Sequence, residues 1–457
     1  MSENAAELAD WNAISGMTRE TLLALQLERL RAQVRKLEAN PFHGRRFREA
    51  RVDAASLKSL DDLRRLPLMT KQDVLADTAE EPPFGRRLGV PKADIREIIT
   101  SGGTAGRQPE VYAFTRQDLD AAVGLYGYDQ YLKGARAGDV AMMVSEIGML
   151  ASPPLNVRAW ERIGMPVLRV GPNSSEERVA TFLRFKPEVL KLPFVYAYRF
   201  IEACKAAGVE PRRDVPNLKF VFVSGGAYPV EFAQGIEDFF GAPMHEVFGC
   251  SQAGTVTSGT CRHGVLRGAR RGWMHNYDHQ LVVEVLDPDT GRHVADGEEG
   301  ELVITPLFRT ASPVFRYRMH DKVRYGAPGR CDCGLPFSTL ECGTIARYDD
   351  MLRIKGVNVW VHELDAVILA DPAVDEFNGV LALDAEGRER AKVLIELRPA
   401  AQGGARDALA RLGAQLKDAF RVTFDLESVP AGTVRRFELK QKRWTDERTA
   451  RLAGRNN

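Results

Sequence analysis

The stretch from Pro216 to Gly241, PNLKFVFVSGGAYPVEFAQGIEDFFG, constrains the fold more than any other part of the chain. An unbroken apolar and β-branched run stops abruptly at Gly225 and Gly226, and a helical pattern follows until Gly241. The run reads as a buried strand. Strand, glycine turn and helix make the repeating unit of a parallel α/β sheet, whose ligands gather at the carboxyl ends of the strands. The loop at Gly225 is therefore a candidate binding edge.

Other segments have a different texture. Leucines at helical spacing from Arg19 to Glu38 predict a long amphipathic scaffold helix. SLDDLRRLPLMTKQDV predicts a short helix, a proline break and a new helix capped by Thr70. QLVVEVLDPDTGRHV and GELVITPL read as strands joined by a Pro/Asp/Gly turn, more antiparallel in character. Beyond the segment Arg347 to Asp350 the pattern restarts with shorter elements: helix ELDAVILA, strand KVLIELRP, turn AAQGG and helix ARDALARLGAQLKDAF. The 457 residues thus divide into 1–347 and 348–457.

With 63 basic against 62 acidic residues, charge gives no argument for nucleic acid or an anionic membrane as partner. The N-terminus lacks a basic region followed by an apolar core, and no apolar run reaches the roughly 18 residues that span a bilayer. A cytoplasmic location is expected. Six cysteines are too few for a secreted disulfide scaffold, so reduced thiols are expected.

In TSGGTAGRQPEVYAFT, Ser101, Gly103, Thr104, Gly106 and Arg107 offer close backbone approach, hydroxyl donors and a positive charge, which is what a polyphosphate needs. The P-loop lysine is missing, and taken alone such a loop is more often a surface turn. Its company decides. LLALQLERLRAQVRKLEANPFHGRRF, LPLMTKQDV, SGGTAGR, VFVSGG, VFGCSQAG, GEEGELVITPL, FRYRMHD, ARYDDMLRIKGVNVWVHELD and RRFELKQKRW follow one another over nearly the whole chain. In order and spacing this set resembles the adenylate-forming (acyl-CoA synthetase) superfamily, in its phenylacetate-CoA ligase-like branch.

The resemblance implies an α/β fold: a large N-terminal domain with mixed sheets and a β-barrel-like part, and a small mobile α+β C-terminal domain. It implies ATP-dependent activation of an aromatic carboxylic acid to an acyl adenylate, followed by transfer to coenzyme A. Ser101, Gly103, Thr104, Gly106 and Arg107 would hold the departing phosphates, with Gly225 and Gly226 along the adenine. Phe248, Gly249 and Cys250 would line the adenine and acyl pockets, Asp321 would accept from the ribose hydroxyls, and Arg347 would contact the nucleotide. Asp349 would be the hinge, Gly356 would border the thiol tunnel, and Lys440 would bridge the carboxylate and the α-phosphate. In the acyl pocket the segment AMMVSEIGML would place Ser145, Glu146 and Met149. Glu146 is equally an exposed helix-end carboxylate.

Four positions depart from the family pattern. Arg107 replaces lysine, Gln252 stands at the magnesium-binding glutamate, Ala227 replaces a glutamate, and Leu439 replaces the glycine beside Lys440. An amide oxygen can serve Mg2+ but brings no negative charge. Two further readings therefore stay open: transfer of the acyl group to an amine or other small nucleophile, and a catalytically silent nucleotide-binding homologue.

Cys331 and Cys333 form a C-x-C-G pair on a tight turn, and Cys261 precedes them by 70 residues. With one imidazole they would close a tetrahedral structural zinc site. The resemblance favours His275, and His263 competes by its nearness in sequence. Homodimers are the expected assembly.

Overall fold

The computed structural model describes residues 10–101, 109–145, 152–224, 227–348, 351–384, 388–434 and 443–448. No helix among them is long and apolar enough to cross a membrane. The chain divides into two compact units, one of residues 1–226 and 230–345, the other of 227–229 and 346–457.

A long sheet organises the first unit. Its strands lie in the order Leu281–Leu286, Glu299–Pro306, Tyr317–Gly326, Thr339–Glu341, Trp273–Asn276, Thr255–Thr260, Met244–Cys250, Phe220–Ser224, Val189–Pro193, Ala141–Met143 and Val167–Arg169. The strands from Met244–Cys250 to Val167–Arg169 pair in parallel. From the pairing of Met244–Cys250 with Thr255–Thr260 onward the sheet is antiparallel. The parallel half carries continuous apolar runs because both faces are covered, and Phe220 to Val223 are all buried.

The helices follow their sequence signals. Arg19–Leu37 starts on a Thr18 cap, and Leu22, Leu30 and Val34 are buried along one face. Arg29 donates to the His279 carbonyl at 2.7 Å, anchoring that helix to the antiparallel half. Thr70 caps Lys71–Glu80 in a box with Asp73, satisfying two backbone N–H groups reciprocally. Leu60–Arg65 is a 3-10 helix, the short element expected before the proline break. Val230–Phe240 ends at Gly241, whose φ of +70° stops the helix at little steric cost.

In the second unit a sheet ordered Asp425–Val429, Glu389–Leu397, Val374–Leu383 and Trp444–Asp446 packs against the helices Val361–Ala370 and Ala405–Phe420. Phe377, Leu412, Leu416, Ile368 and Trp444 form its core. The segment AAQGG lies in a 3-10 helix, Pro399–Gly404, where the sequence predicts only a turn.

Candidate functional site

The strands Glu97–Thr100 and Val111–Phe114, which flank the glycine-rich segment in sequence, pair antiparallel. Ser101 closes its base: its N–H donates to the Glu110 carbonyl and its Oγ accepts from the Glu110 N–H, both at 2.9 Å. Gly103, Thr104, Gly106 and Arg107 lie outside the described residues.

Glu110 is the centre of this edge. Only 2% exposed, its carboxylate accepts from the Tyr317 hydroxyl at 2.6 Å, the Tyr112 hydroxyl at 2.9 Å and the Gln252 side-chain amide at 2.9 Å. Burial, and then the charge of Glu110, push both phenols up. The Gln252 N–H2 is committed to Glu110, so its carbonyl oxygen is turned away from that carboxylate.

Gln252 sits on the turn between Met244–Cys250 and Thr255–Thr260, at the junction of the parallel and antiparallel halves. Gly249 must be small, since a Cβ there would meet the Thr255 carbonyl at 2.8 Å. Gly254 combines φ of +71° with a Cβ position 2.6 Å from Arg309 and 2.7 Å from the Phe114 ring. Arg309 in turn lies over that ring at 3.8 Å, so the turn is seated on the hairpin that holds Glu110. Phe248 is half-buried beside a shift in register, and burial pushes the Cys250 thiol up to about 12.

Asp321 enters from Tyr317–Gly326. Glu301 pairs with Lys322 but Val303 with Arg318, so Met319, His320 and Asp321 bulge from the ladder, with His320 at φ of +57°. Bulges re-aim side chains next to binding sites. Asp321 is buried, and its charge acts on Cys250. Ser145 closes the described segment after the strand Ala141–Met143, and Glu146 and Met149 lie outside the described residues, as do Gly225 and Gly226.

Within the second unit Arg347 is exposed. Gly356, with φ of +85°, and Lys355, with +49°, form the two-residue turn between Met351–Ile354 and Val357–Trp360. Both positive angles fit the primed turns of tight hairpins. Asp349 and Lys440 lie outside the described residues.

The cysteine cluster lies in the antiparallel half. The donor atoms of Cys261, His275, Cys331 and Cys333 all fall within 4.8 Å of one another. Cys261 Sγ is 3.9 Å from Cys331 Sγ, and Cys333 Sγ is 3.4 Å from His275 Nε2. The clustered thiols push Cys261 up and pull Cys333 down to about 3. Nδ1 of His275 is buried without a partner. His263 approaches only Cys331, at 3.7 Å, and faces Asp332 at 3.1 Å. Between the two competing histidines, the geometry brings His275 to the three thiols.

The AMP-binding enzyme family model matches residues 24–306, and the AMP-binding enzyme C-terminal domain matches 356–448. The chain belongs to the AMP-binding enzymes. Phenylacetate-coenzyme A ligase of Thermus thermophilus is 30% identical over 361 residues, 78% of this chain and 77% of the relative. That of Pseudomonas putida is 27% identical over 434 residues, 93% and 94% of the two chains. The crystal structure of a 2-hydroxyisobutyryl-CoA ligase in the postadenylation state aligns with a TM-score of 0.81 at 22% identity, over 94% of this chain and 90% of that one. An anthranilate CoA ligase in complex with anthranoyl-AMP gives 0.58 at 17%, over 87% and 75%. The fold is that of the adenylate-forming ligases, and the protein is an enzyme of that type.

Sequence reasoning passed over Glu110 and Lys191. Each is a charged residue adjoining or inside an apolar strand, in EVYAF and VLKLP, and that is the signal that could have found them.

Proposed function

We propose that the protein activates an aromatic carboxylic acid with ATP and passes the acyl group to coenzyme A. A substrate carboxylate oxygen bonds to the α-phosphorus as the bond to pyrophosphate breaks. The coenzyme A sulfur then bonds to the acyl carbon as its bond to AMP breaks and the thiol proton is lost. The observation that carries this reading is the convergence of the hairpin loop base, the Gln252 turn and the Asp321 bulge on one unit, in a chain related over most of its length to phenylacetate-CoA ligases.

In this reading the loop containing Gly103, Thr104, Gly106 and Arg107 grips the leaving phosphates, and Ser101 holds that loop closed at its base. Gly225, Gly226, Phe248, Gly249 and Cys250 border the adenine and acyl groups, and Asp321 takes the ribose diol, which a carboxylate can accept twice. The carbonyl oxygen of Gln252 fits a hard cation, because Glu110 occupies its amide N–H2. Mg2+ there would neutralise phosphate charge. Arg347 and Gly356 keep their nucleotide and thiol roles, Asp349 is the hinge, and Ser145, Glu146 and Met149 face the acyl group. Lys440 supplies an ammonium where two anions meet.

Zinc belongs to the same reading, held by Cys261, His275, Cys331 and Cys333, with donor types and mutual distances that suit a closed tetrahedral site. It is structural, tying the turn at Cys331 to the strand Trp273–Asn276. The cytoplasmic setting and a homodimer complete the proposal.

The test is mass spectrometry of products from a panel of aromatic acids with ATP, with and without coenzyme A. Acyl adenylate without the thiol and thioester with it are expected. Lys440→Ala should lower adenylate formation about 100-fold or more. Adenylate that forms at the wild-type rate in Lys440→Ala, or transfer that ignores coenzyme A, would overturn the corresponding half. Metal analysis should find one zinc per chain, lost in Cys331→Ser; size-exclusion chromatography checks the dimer.

A further inference from the structure

Lys191 stands on the strand Val189–Pro193, two residues before its carboxyl end, and is 1% exposed. Among the described residues its side chain makes one hydrogen bond, a long one of 3.4 Å from Nζ to the Ser152 Oγ, and its ammonium lies 4.9 Å from the Phe222 ring centre. No carboxylate of the described residues reaches ion-pair distance. The neighbouring Asp129 is committed to Lys133, Tyr277 and Gln130. A buried cation without a counter-charge costs several kcal/mol in general, so its retention calls for a partner.

A second observation lies beside it. Asn156, 0% exposed, donates to the Ser152 carbonyl at 2.8 Å and the Ser152 Oγ at 3.2 Å, and its own Oδ1 is buried without a partner. Ser152 begins the helix Ser152–Ile163, which follows the strand Ala141–Met143. Lys191 and Asn156 thus meet at the Ser152 Oγ, at the start of the helix that leaves the carboxyl end of a parallel strand; Lys191 is level with Phe222 and His245, three residues before Phe248 on its own strand. Burial pushes the Lys191 ammonium down to about 7, against the opposing pull of the Asp129 carboxylate, which lies beyond ion-pair distance.

We propose that Lys191 and Asn156 form the far wall of the acyl site and select an acid that carries a hydroxyl on its ring, away from the activated carboxylate. A hydroxyl oxygen accepts from the ammonium, and its proton is donated to Asn156 Oδ1. A second carboxylate on the substrate meets Lys191 well but places negative charge against that same Oδ1, and an unsubstituted ring leaves both groups unmatched. This rests on the ligase reading above and specifies its substrate class.

The experiment measures adenylate formation by the full-length wild type with matched benzoic and arylacetic acids, each unsubstituted, ring-hydroxylated and ring-carboxylated. Sites built to hydrogen-bond a substrate hydroxyl discriminate strongly, so the hydroxy acids should exceed their parents in kcat/KM by roughly 100-fold or more. In Lys191→Met that ratio should fall below about tenfold, mostly through KM. If Lys191→Met fails to fold, Asn156→Leu takes its place and should lower the same ratio. A wild type that prefers unsubstituted or dicarboxylic acids, or a variant that keeps the ratio, overturns this inference alone. A wild type that forms no adenylate from any acid overturns the ligase reading, and this inference with it.

Discussion

Glu110 and Lys191 are buried to the same degree in the same unit, yet the protein treats them oppositely. Glu110 has three side-chain donors on its two oxygens; among the described residues the Lys191 ammonium has one long bond to a hydroxyl and no counter-ion. Desolvating a charge is costly, and only hydrogen bonds or an opposite charge offset it. Where the protein supplies them, as at Glu110, the charge is architecture: it fixes Gln252 and ties Tyr317 to the hairpin. Where it does not, the offset is left for a ligand. Lys133 makes the contrast sharper, since it too lies over the Phe222 ring, at 5.2 Å, but holds Asp129.

Removing the satisfied carboxylate should have the largest effect. Glu110→Ala leaves three donors unmatched in a dry interior, and a loss of about 4 kcal/mol is expected from the usual strength of hydrogen bonds to charged groups. A thermal midpoint within a degree of wild type would show that the cluster is not what holds the hairpin to the Gln252 turn.

Gln252→Glu should cost about 2 kcal/mol, because it sets a second carboxylate against Glu110. One of the pair must then keep a proton, so its folded pKa rises above the unfolded value of about 4.3. The folded state then binds more protons than the unfolded chain, and the deficit grows as pH rises through that window. The exchange variant Glu110→Gln/Gln252→Glu restores one carboxylate and one amide, and its melting temperature should return most of the way. A pH-independent deficit, or an exchange that recovers nothing, would break the pairing argument.

The smallest effect has the opposite sign. Lys191→Met should raise stability at pH 7 by about 1 kcal/mol, since apolar replacement of an unsatisfied buried charge is often stabilising. Lys133→Met should instead destabilise by stranding Asp129. In the folded chain Lys191 sits near about 7 against 10.5 for the ordinary lysine. Between those values the unfolded chain holds the proton that the folded chain has released, so wild-type stability rises with pH there relative to Lys191→Met. Denaturation of the three proteins from pH 7 to 10 checks both the order and the slope.

Much of the fold was legible locally. The buried strand after Lys219, the Thr70 cap, the helix before Gly241 and the pairing of Leu281–Leu286 with Glu299–Pro306 all follow from short-range patterns. The site was legible as chemistry but not as contacts. Gln252 was singled out as an oddity in its motif, while its partner Glu110, 142 residues away, carried no motif of its own. The choice of His275 over His263 went against sequence proximity, because strand pairing, not chain distance, brings His275 to the thiols.

By itself, then, the sequence determined which segments become strands and helices, since apolar periodicity, caps and glycine turns act over a few residues and need no distant partner. It also determined the family, through ordered motifs. The tertiary structure decided which buried charges are matched. A charge is satisfied only by atoms within about 3 Å, and those atoms come from segments that the chain pattern leaves unconnected until the sheet assembles.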